Sequence, residues 1–421
     1  MLNENFPAPA ARDAGSGDSA MLSGLTVVEY ATYIAAPGAG CILSDWGARV
    51  IKVEPIGGDP IRRFFDTIGA ETDANPVFDL DNRGKQSVIL DTRTPDGIAA
   101  LRKLAAGADV FLTNVRPGGL ARAGLDPASL SALNPRLVYA SVTGFGLEGP
   151  EVDRAGFDVT AFWSRSGIAR LTAPRGSEPF TIRTGMGDHT TSMACAAGIL
   201  AALYEREKTG KGRLVESSLA RSAIYAVGSD MAIQLRFGRI ASTRPRTDAV
   251  NPLTNFFKTS DDKWICIIPR QGNPDWPNIA RAVKAEHLLT DARFTSSRSR
   301  RENCSALVAA LDEAFGATAF DEIAARLDAE DVTWAPVQTA AEACADPQLI
   351  AAGAFVDVPS ADGATTYKSP ATPIRFPGAA DGPKGPSPRP GQHTRAVLSE
   401  LGYTSDEIDG LLSTGAAVAG V

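Results

Sequence analysis

Between residues 21 and 142, short apolar runs rich in β-branched side chains alternate with helix-forming stretches. The runs are Leu25–Tyr30, Arg49–Glu54, Ser87–Asp91, Asp109–Thr113 and Leu137–Val142. Between them the pattern predicts helices such as Pro37–Trp46 and Pro95–Ala106. In the second helix, Thr94 suits the N-cap and Pro95 the first helical position. Strand–helix–strand spacing of this kind implies right-handed crossovers and a parallel sheet covered on both faces. The predicted fold class is therefore α/β.

Downstream the pattern loosens. Residues 150–187 are irregular, and a long helix is expected over His189–Lys208, with Met193, Ala197, Leu200 and Leu203/Tyr204 on one stripe. Gly210 and Gly212 stop it. Residues 1–20, rich in Ala, Gly, Ser and Pro, lack the basic start and apolar run of a signal peptide and read as a disordered leader. Residues 21–225 then form the first part of a large domain, and 226–255, with Pro245 and Pro252, a linker. A strand pair, Phe256–Lys258 and Trp264–Ile268, opens a smaller α+β domain over 256–330. Residues 331–421 return to the large domain through Ala335–Val337, a Pro/Gly-rich loop at 376–391 and a helix at His393–Leu401.

A net charge of −7 over 421 residues gives no basic stripe and argues against nucleic acid as a partner. No stretch approaches the ~18–20 apolar residues of a membrane span. Cys41, Cys195, Cys266, Cys304 and Cys344 are scattered without CxxC spacing, which fits a reducing cytoplasm and no disulfide framework. The three histidines are His189, His287 and His393, and no metal site is expected.

Four constellations carry chemical potential. Gly38 and Gly40 follow the first strand and Glu54 ends the second, as in a dinucleotide fold, but Leu43 replaces the third glycine. Asn114-Val115-Arg116-Pro117-Gly118-Gly119, with Arg122 one turn on, follows a strand end where α/β sheets bind ligands. Its guanidiniums suit phosphate, as do Arg62 and Arg63, although solvated surface arginines fit equally well. Gly187-Asp188-His189 opens the long helix. Asp188 reads either as its N-cap or as an ionised nucleophile favoured by the helix dipole. Asp158, in Ala155-Gly156-Phe157-Asp158, reads as a second acid or as a capping aspartate.

Taken together, GLTVVEYATYIAAPGAGCILSDWGARVIKVEPIGGDPIRR, NRGKQSVILDTRTPDG, NVRPGGLARAGL, NPRLVYASVTGFG, GFD, GDHTTSMACAAGILAALYEREKTGKGR and GQHTRAVLSELG make the chain resemble the family III CoA-transferases. The match runs from about residue 22 to 415. Formyl-CoA:oxalate and carnitine CoA-transferases typify that family. The resemblance implies a large Rossmann-like domain that binds CoA, a small domain, and an interlocked ring-like homodimer. It implies CoA and acyl-CoA as substrates, with a small carboxylic acid as acceptor and no permanently bound cofactor. By the same resemblance Asp188 is the catalytic nucleophile, passing through aspartyl anhydride and aspartyl-CoA thioester. Asn114, Val115, Arg116 and Arg122 match the segment that holds CoA. Leu90, Asp91, Thr92 and Arg93 match the adenine and phosphate end. Ala155, Gly156, Phe157 and Asp158 match the stretch beside the pantetheine, while Gly38 and Gly40 fall in the CoA cleft. Backbone N–H groups near 187–190 are expected to hold the oxyanion.

The departures bear on specificity. Formyl-CoA transferase has glutamine where this chain has Ile34, a tryptophan near Phe64, and a tetraglycine loop absent from residues 250–274 here. Ile34, Phe64, Phe157 and Trp163 suggest a less polar acyl pocket. The alternative activity is that of an α-methylacyl-CoA racemase-like isomerase, which shares the fold and places a histidine in a GHD motif. Here that position is Phe157, which cannot take a proton.

Overall fold

The computed structural model describes residues 20–420, apart from 70, 71, 73, 271 and 272. The leader expected over 1–20 lies outside them but for Ala20. Two units divide the chain: one comprises residues up to 169, 180–239 and 353–421, the other 170–179 and 240–352.

The first unit is a mixed α/β body around a seven-stranded sheet. Strands β1 (Thr26–Tyr30), β2 (Arg49–Glu54), β3 (Gln86–Leu90), β4 (Val110–Thr113), β5 (Val138–Thr143) and β6 (Leu214–Ser218) lie in the order β3-β2-β1-β4-β5-β6, all parallel. Ala417–Val418 adds an antiparallel edge beside β3. Alternate residues feed two apolar layers. Val27, Leu112, Val138 and Ala140 pack under the helices Ala35–Asp45 and Met186–Thr209. Val28, Phe111 and Tyr139 face Leu101, Leu104 and Leu120 on the other side. Both faces are dry, which is why the strand runs read as almost continuously apolar. The helix Pro95–Ala106 starts as its sequence implies, with the Thr94 hydroxyl accepting from Gly97 N at 3.1 Å. A hairpin of Phe355–Pro359 and Thr366–Pro370 completes this unit.

The second unit has a three-stranded antiparallel sheet, β7 (Asn255–Lys258), β8 (Trp264–Ile267) and β9 (Trp334–Pro336), and helices including Cys304–Gly316 and Phe320–Ala329. Phe257 stacks on Phe315 at 4.6 Å in its core.

The domain limits differ from those drawn on the sequence. Residues 228–237 of the expected linker form a helix of the first unit, and 240–255 belong to the second. The return comes at 353 rather than 331, because Trp334–Pro336 pairs with β8 as the third strand of the small sheet.

Candidate active site

The first unit carries a cavity of about 610 Å³ at the carboxyl ends of β1, β4 and β5. Its lining includes Ile34, Asn114, Phe157, Asp158, Gly185 and Asp188. The size suits a drug-sized or larger ligand.

The helix Met186–Thr209 delivers Asp188 to this cavity. Gly185 is its N-cap at φ +85°, a conformation that a side chain would strain. Asp188 therefore sits inside the first turn, and the N-cap alternative is overturned. The cap comes from elsewhere in the chain: Asp158 Oδ2 accepts from Gly187 N at 3.2 Å. Asp158 is thus the helix-capping carboxylate. A Cβ at Gly187 would lie 2.3 Å from Asp158 Oδ1 and 2.3 Å from the Phe162 ring, so only glycine lets the cap approach. The expected oxyanion donors are consequently engaged, Gly187 N by Asp158 and His189 N by Gly185 O at 2.8 Å.

Electrostatics single out Asp188. Burial and the Asp158 carboxylate, with a smaller push from Asp81, raise its pKa to about 7, against the pull of His189. Burial also raises Asp158, opposed by the backbone N–H groups of the turn. Two carboxylates converge where negative charge is costly, a pattern that marks functional sites.

The other sequence candidates divide into those at the cavity and those away from it. Asn114, Val115, Arg116 and Ala155–Asp158 line the cavity. Asn114 is occupied: its Nδ2 donates to Thr32 O at 2.6 Å and its Oδ1 accepts from Thr32 N at 3.1 Å. It pins the loop that carries Tyr33 and Ile34. Phe157, half exposed, meets Tyr33 edge-on at 5.4 Å. Leu90–Arg93 and Arg122 are not in the lining. Leu90 is buried in the core, Thr92 Oγ1 bonds Tyr30 OH at 2.9 Å, and Arg93 pairs with Asp91 at 2.8 Å on the surface. Arg122 ends the short helix Pro117–Arg122 and is exposed. Trp163, expected in the acyl pocket, is a core residue whose Nε1 donates to Phe180 O at 2.7 Å.

The dinucleotide features also resolve. Glu54 is buried, forked by Arg62 at 2.7 and 2.7 Å, so it offers no free acid for a ribose. A Cβ at Gly40 would lie 2.0 Å from Glu29 Oε2; this glycine makes room for a buried ionic cluster. Gly38 lines a second, smaller cavity of about 210 Å³ with Asp81, His189 and Met193.

Comparison with known proteins decides the family. The model of CoA-transferase family III matches residues 22–394. The chain belongs to that family. This family III enzyme is 34% identical over 391 residues to (R)-2-hydroxy-4-methylpentanoate CoA-transferase of Clostridioides difficile, covering 92% of this chain and 97% of that protein. It is 31% identical to cinnamoyl-CoA:phenyllactate CoA-transferase of Clostridium sporogenes, covering 93% of this chain and 96% of that protein. A CAIB/BAIF family protein from Brucella suis superposes with a TM-score of 0.80 at 33% identity, covering 90% of this chain and 99% of that one. The activity is CoA transfer between acyl-CoA and carboxylic acids. Among the described residues no helix is long and apolar enough to cross a membrane, and no group of three His, Cys, Asp or Glu could hold a metal.

Proposed function

We propose that this enzyme moves CoA from an acyl-CoA to a monocarboxylic acid with an apolar side chain, using Asp188 as covalent nucleophile. The observation that carries the reading is the half-buried Asp188 carboxylate at the floor of a preformed cavity between the loops after β1, β4 and β5. An Asp188 oxygen attacks the thioester carbonyl, the C–S bond breaks, and CoA thiolate leaves a mixed anhydride. The thiolate then attacks the aspartyl carbonyl and expels the donor carboxylate, giving aspartyl-CoA thioester. The acceptor carboxylate attacks this thioester and forms a second anhydride. The thiolate attacks its acyl carbonyl, releasing the new acyl-CoA and the Asp188 carboxylate. No proton is gained or lost over the cycle. The cavity must chiefly keep water from the anhydrides.

CoA runs along Asn114–Arg116 and the Ala155–Asp158 stretch. Leu90–Arg93, at the end of β3, and Arg122 serve its adenine and phosphate end, Leu90 through its backbone alone. The acid is apolar because Ile34, Ile61, Phe64 and Phe157 line the cavity, and its cations Arg116 and Arg154 are exposed. Relatives named for 4-methylpentanoate and phenyllactate derivatives fit that chemistry. Screened against one acyl-CoA donor, branched or aromatic monocarboxylates should exceed succinate and oxalate at least tenfold in kcat/KM. A dicarboxylate preference would overturn the acid assignment.

A homodimer of this chain covers the apolar residues that the first unit leaves bare, Tyr204, Tyr225, Leu235 and Phe237, which are 67–88% exposed. The interlocked arrangement is part of this proposal; a monomer at micromolar concentration by light scattering would contradict it. The enzyme should not racemise. Phe157 offers no titratable atom opposite Asp188, so a chiral 2-methylacyl-CoA in D₂O should keep its configuration and gain no deuterium at Cα. Deuterium appearing as fast as CoA transfer would favour the isomerase.

A further inference from the structure

His189 follows Asp188 in the first turn of the long helix, yet it lines the smaller cavity rather than the larger one. Its Nε2 lies 3.0 Å from Asp81 Oδ1. Asp81 lies in the last turn of the helix Pro76–Asn82, is 3% exposed, and its Oδ2 meets no donor. A carboxylate so enclosed needs a compensating positive charge. The charges that face the imidazole are Asp81 from its own helix, Asp158 from the 158–164 segment, and Asp188 from the preceding residue. Arg83 lines the same small cavity but is committed to Asp45 at 2.7 Å. The Cys41 thiol there is pushed up by burial and stays neutral. One carboxylate thus bonds the imidazole directly, and two more act on it from a distance. Burial works against its charge, but Asp81, Asp188 and Asp158 together hold it above its ordinary value. The backbone donors that could have offset charge on Asp188 are already taken by Asp158 and by the helix itself.

We propose that Asp81 and His189 form a positioning pair for Asp188: Asp81 holds the imidazole as a cation beside the nucleophile, and that fixed charge favours the ionised Asp188 carboxylate against burial and its neighbouring carboxylates. This rests on the reading of Asp188 as the nucleophile. His189 neither gives nor takes a proton in the cycle; it acts through Asp188.

The test is the pH profile of kcat/KM for acyl-CoA. His189→Gln should move the acid limb up by about one pH unit, a tenfold loss at pH 6 that vanishes by pH 9. The KM for CoA should stay within about twofold, and His189→Lys should restore the limb. A uniform loss at every pH, with the limb unmoved, would overturn the pair. Ring NMR gives an independent reading on the folded wild type, which has three histidines. One imidazole should titrate above ~6.5 and fall toward that value in Asp81→Asn; no such imidazole would also overturn the proposal. Hydroxylamine trapping separates the two readings. Wild type that never yields a modified Asp188 removes the nucleophile and the pair together. A trapped Asp188 with an unmoved limb removes only the pair.

Discussion

Asp188→Asn should lower kcat by at least about a thousandfold while CoA affinity changes less than about twofold. The carboxamide keeps the shape of the side chain and removes its nucleophilic oxygen. Wild type incubated with acyl-CoA and then borohydride or hydroxylamine should be modified at Asp188, since both reagents attack an activated aspartyl carbonyl; the variant should not. A variant with a tenth of the wild-type rate would sink the covalent role. The same substitution carries a signature in stability. Asp188 has a folded pKa of about 7 against an ordinary 3.8. A group raised in this way contributes stability that is present below its unfolded value and lost as pH rises through the folded one. Wild type therefore weakens between about pH 4 and 7, and the uncharged variant does not. Asp188→Asn should melt above wild type at pH 8, with the gap closing toward pH 4. An inactive variant that melts well below wild type at pH 8 would mean misfolding rather than lost chemistry.

The sheet was legible because β1 to β5 are buried on both faces, which imposes apolar runs whatever the contacts. β6 escaped notice: its Leu-Val-Glu-Ser-Ser sequence lies at the sheet edge, half exposed, and needs no apolar pattern. The hairpin Phe355–Pro359 and Thr366–Pro370 gives a weak pattern too, since both strands are five residues long, mostly exposed or half-buried, and end in proline. β9 overlaps Ala335–Val337, read from the sequence as the return to the large domain, because three residues say nothing about which sheet they join. In the site, position along the chain favoured Asp188 as an N-cap. The actual cap is Asp158, and the partner of His189 is Asp81, 108 residues earlier. Such pairings depend on the fold bringing distant segments together, and local spacing cannot report them. The buried ionic cluster does leave a trace in the sequence. Two apolar runs each carry a lone internal charge, Glu29 in β1 and Lys52 in β2, and the parallel register sets these two opposite each other.

Glu29→Gln should cost about 3–5 kcal/mol of stability, the usual effect of removing one partner from a buried ion pair. Glu29 is fully buried and holds two lysines, Lys52 at 3.0 Å through Oε1 and Lys85 at 2.7 Å through Oε2. Burial penalises every charge here. The two lysines nevertheless keep Glu29 below the ordinary carboxylate range, and Glu29 with Asp59 keeps Lys52 above its own. At Lys85 burial prevails and the pKa falls. The cluster also shapes the active site. Lys52 Nζ donates to Ala31 O at 3.1 Å and Lys85 Nζ to Pro37 O at 2.9 Å, while Asp59 Oδ1 accepts from Tyr33 N at 3.1 Å. These bonds fasten both ends and the middle of the loop that brings Tyr33 and Ile34 to the cavity. The Gln variant leaves Lys85 facing a neutral amide and Lys52 with Asp59 as its one carboxylate, so urea unfolding followed by near-UV circular dichroism should show a clearly lower midpoint. Because Lys52 and Lys85 lose the carboxylate that orients their bonds to Ala31 and Pro37, KM for the acid should rise more than KM for CoA. Replacing Glu29, Lys52 and Lys85 together by methionine, with Asp59→Asn to remove the carboxylate that Lys52 pairs at 2.8 Å, takes out the stranded charges and should recover part of the stability. This multiple variant should not recover the acid KM, since the bonds to Ala31 and Pro37 are gone. A Glu29→Gln variant as stable as wild type would show that the cluster contributes nothing to the fold.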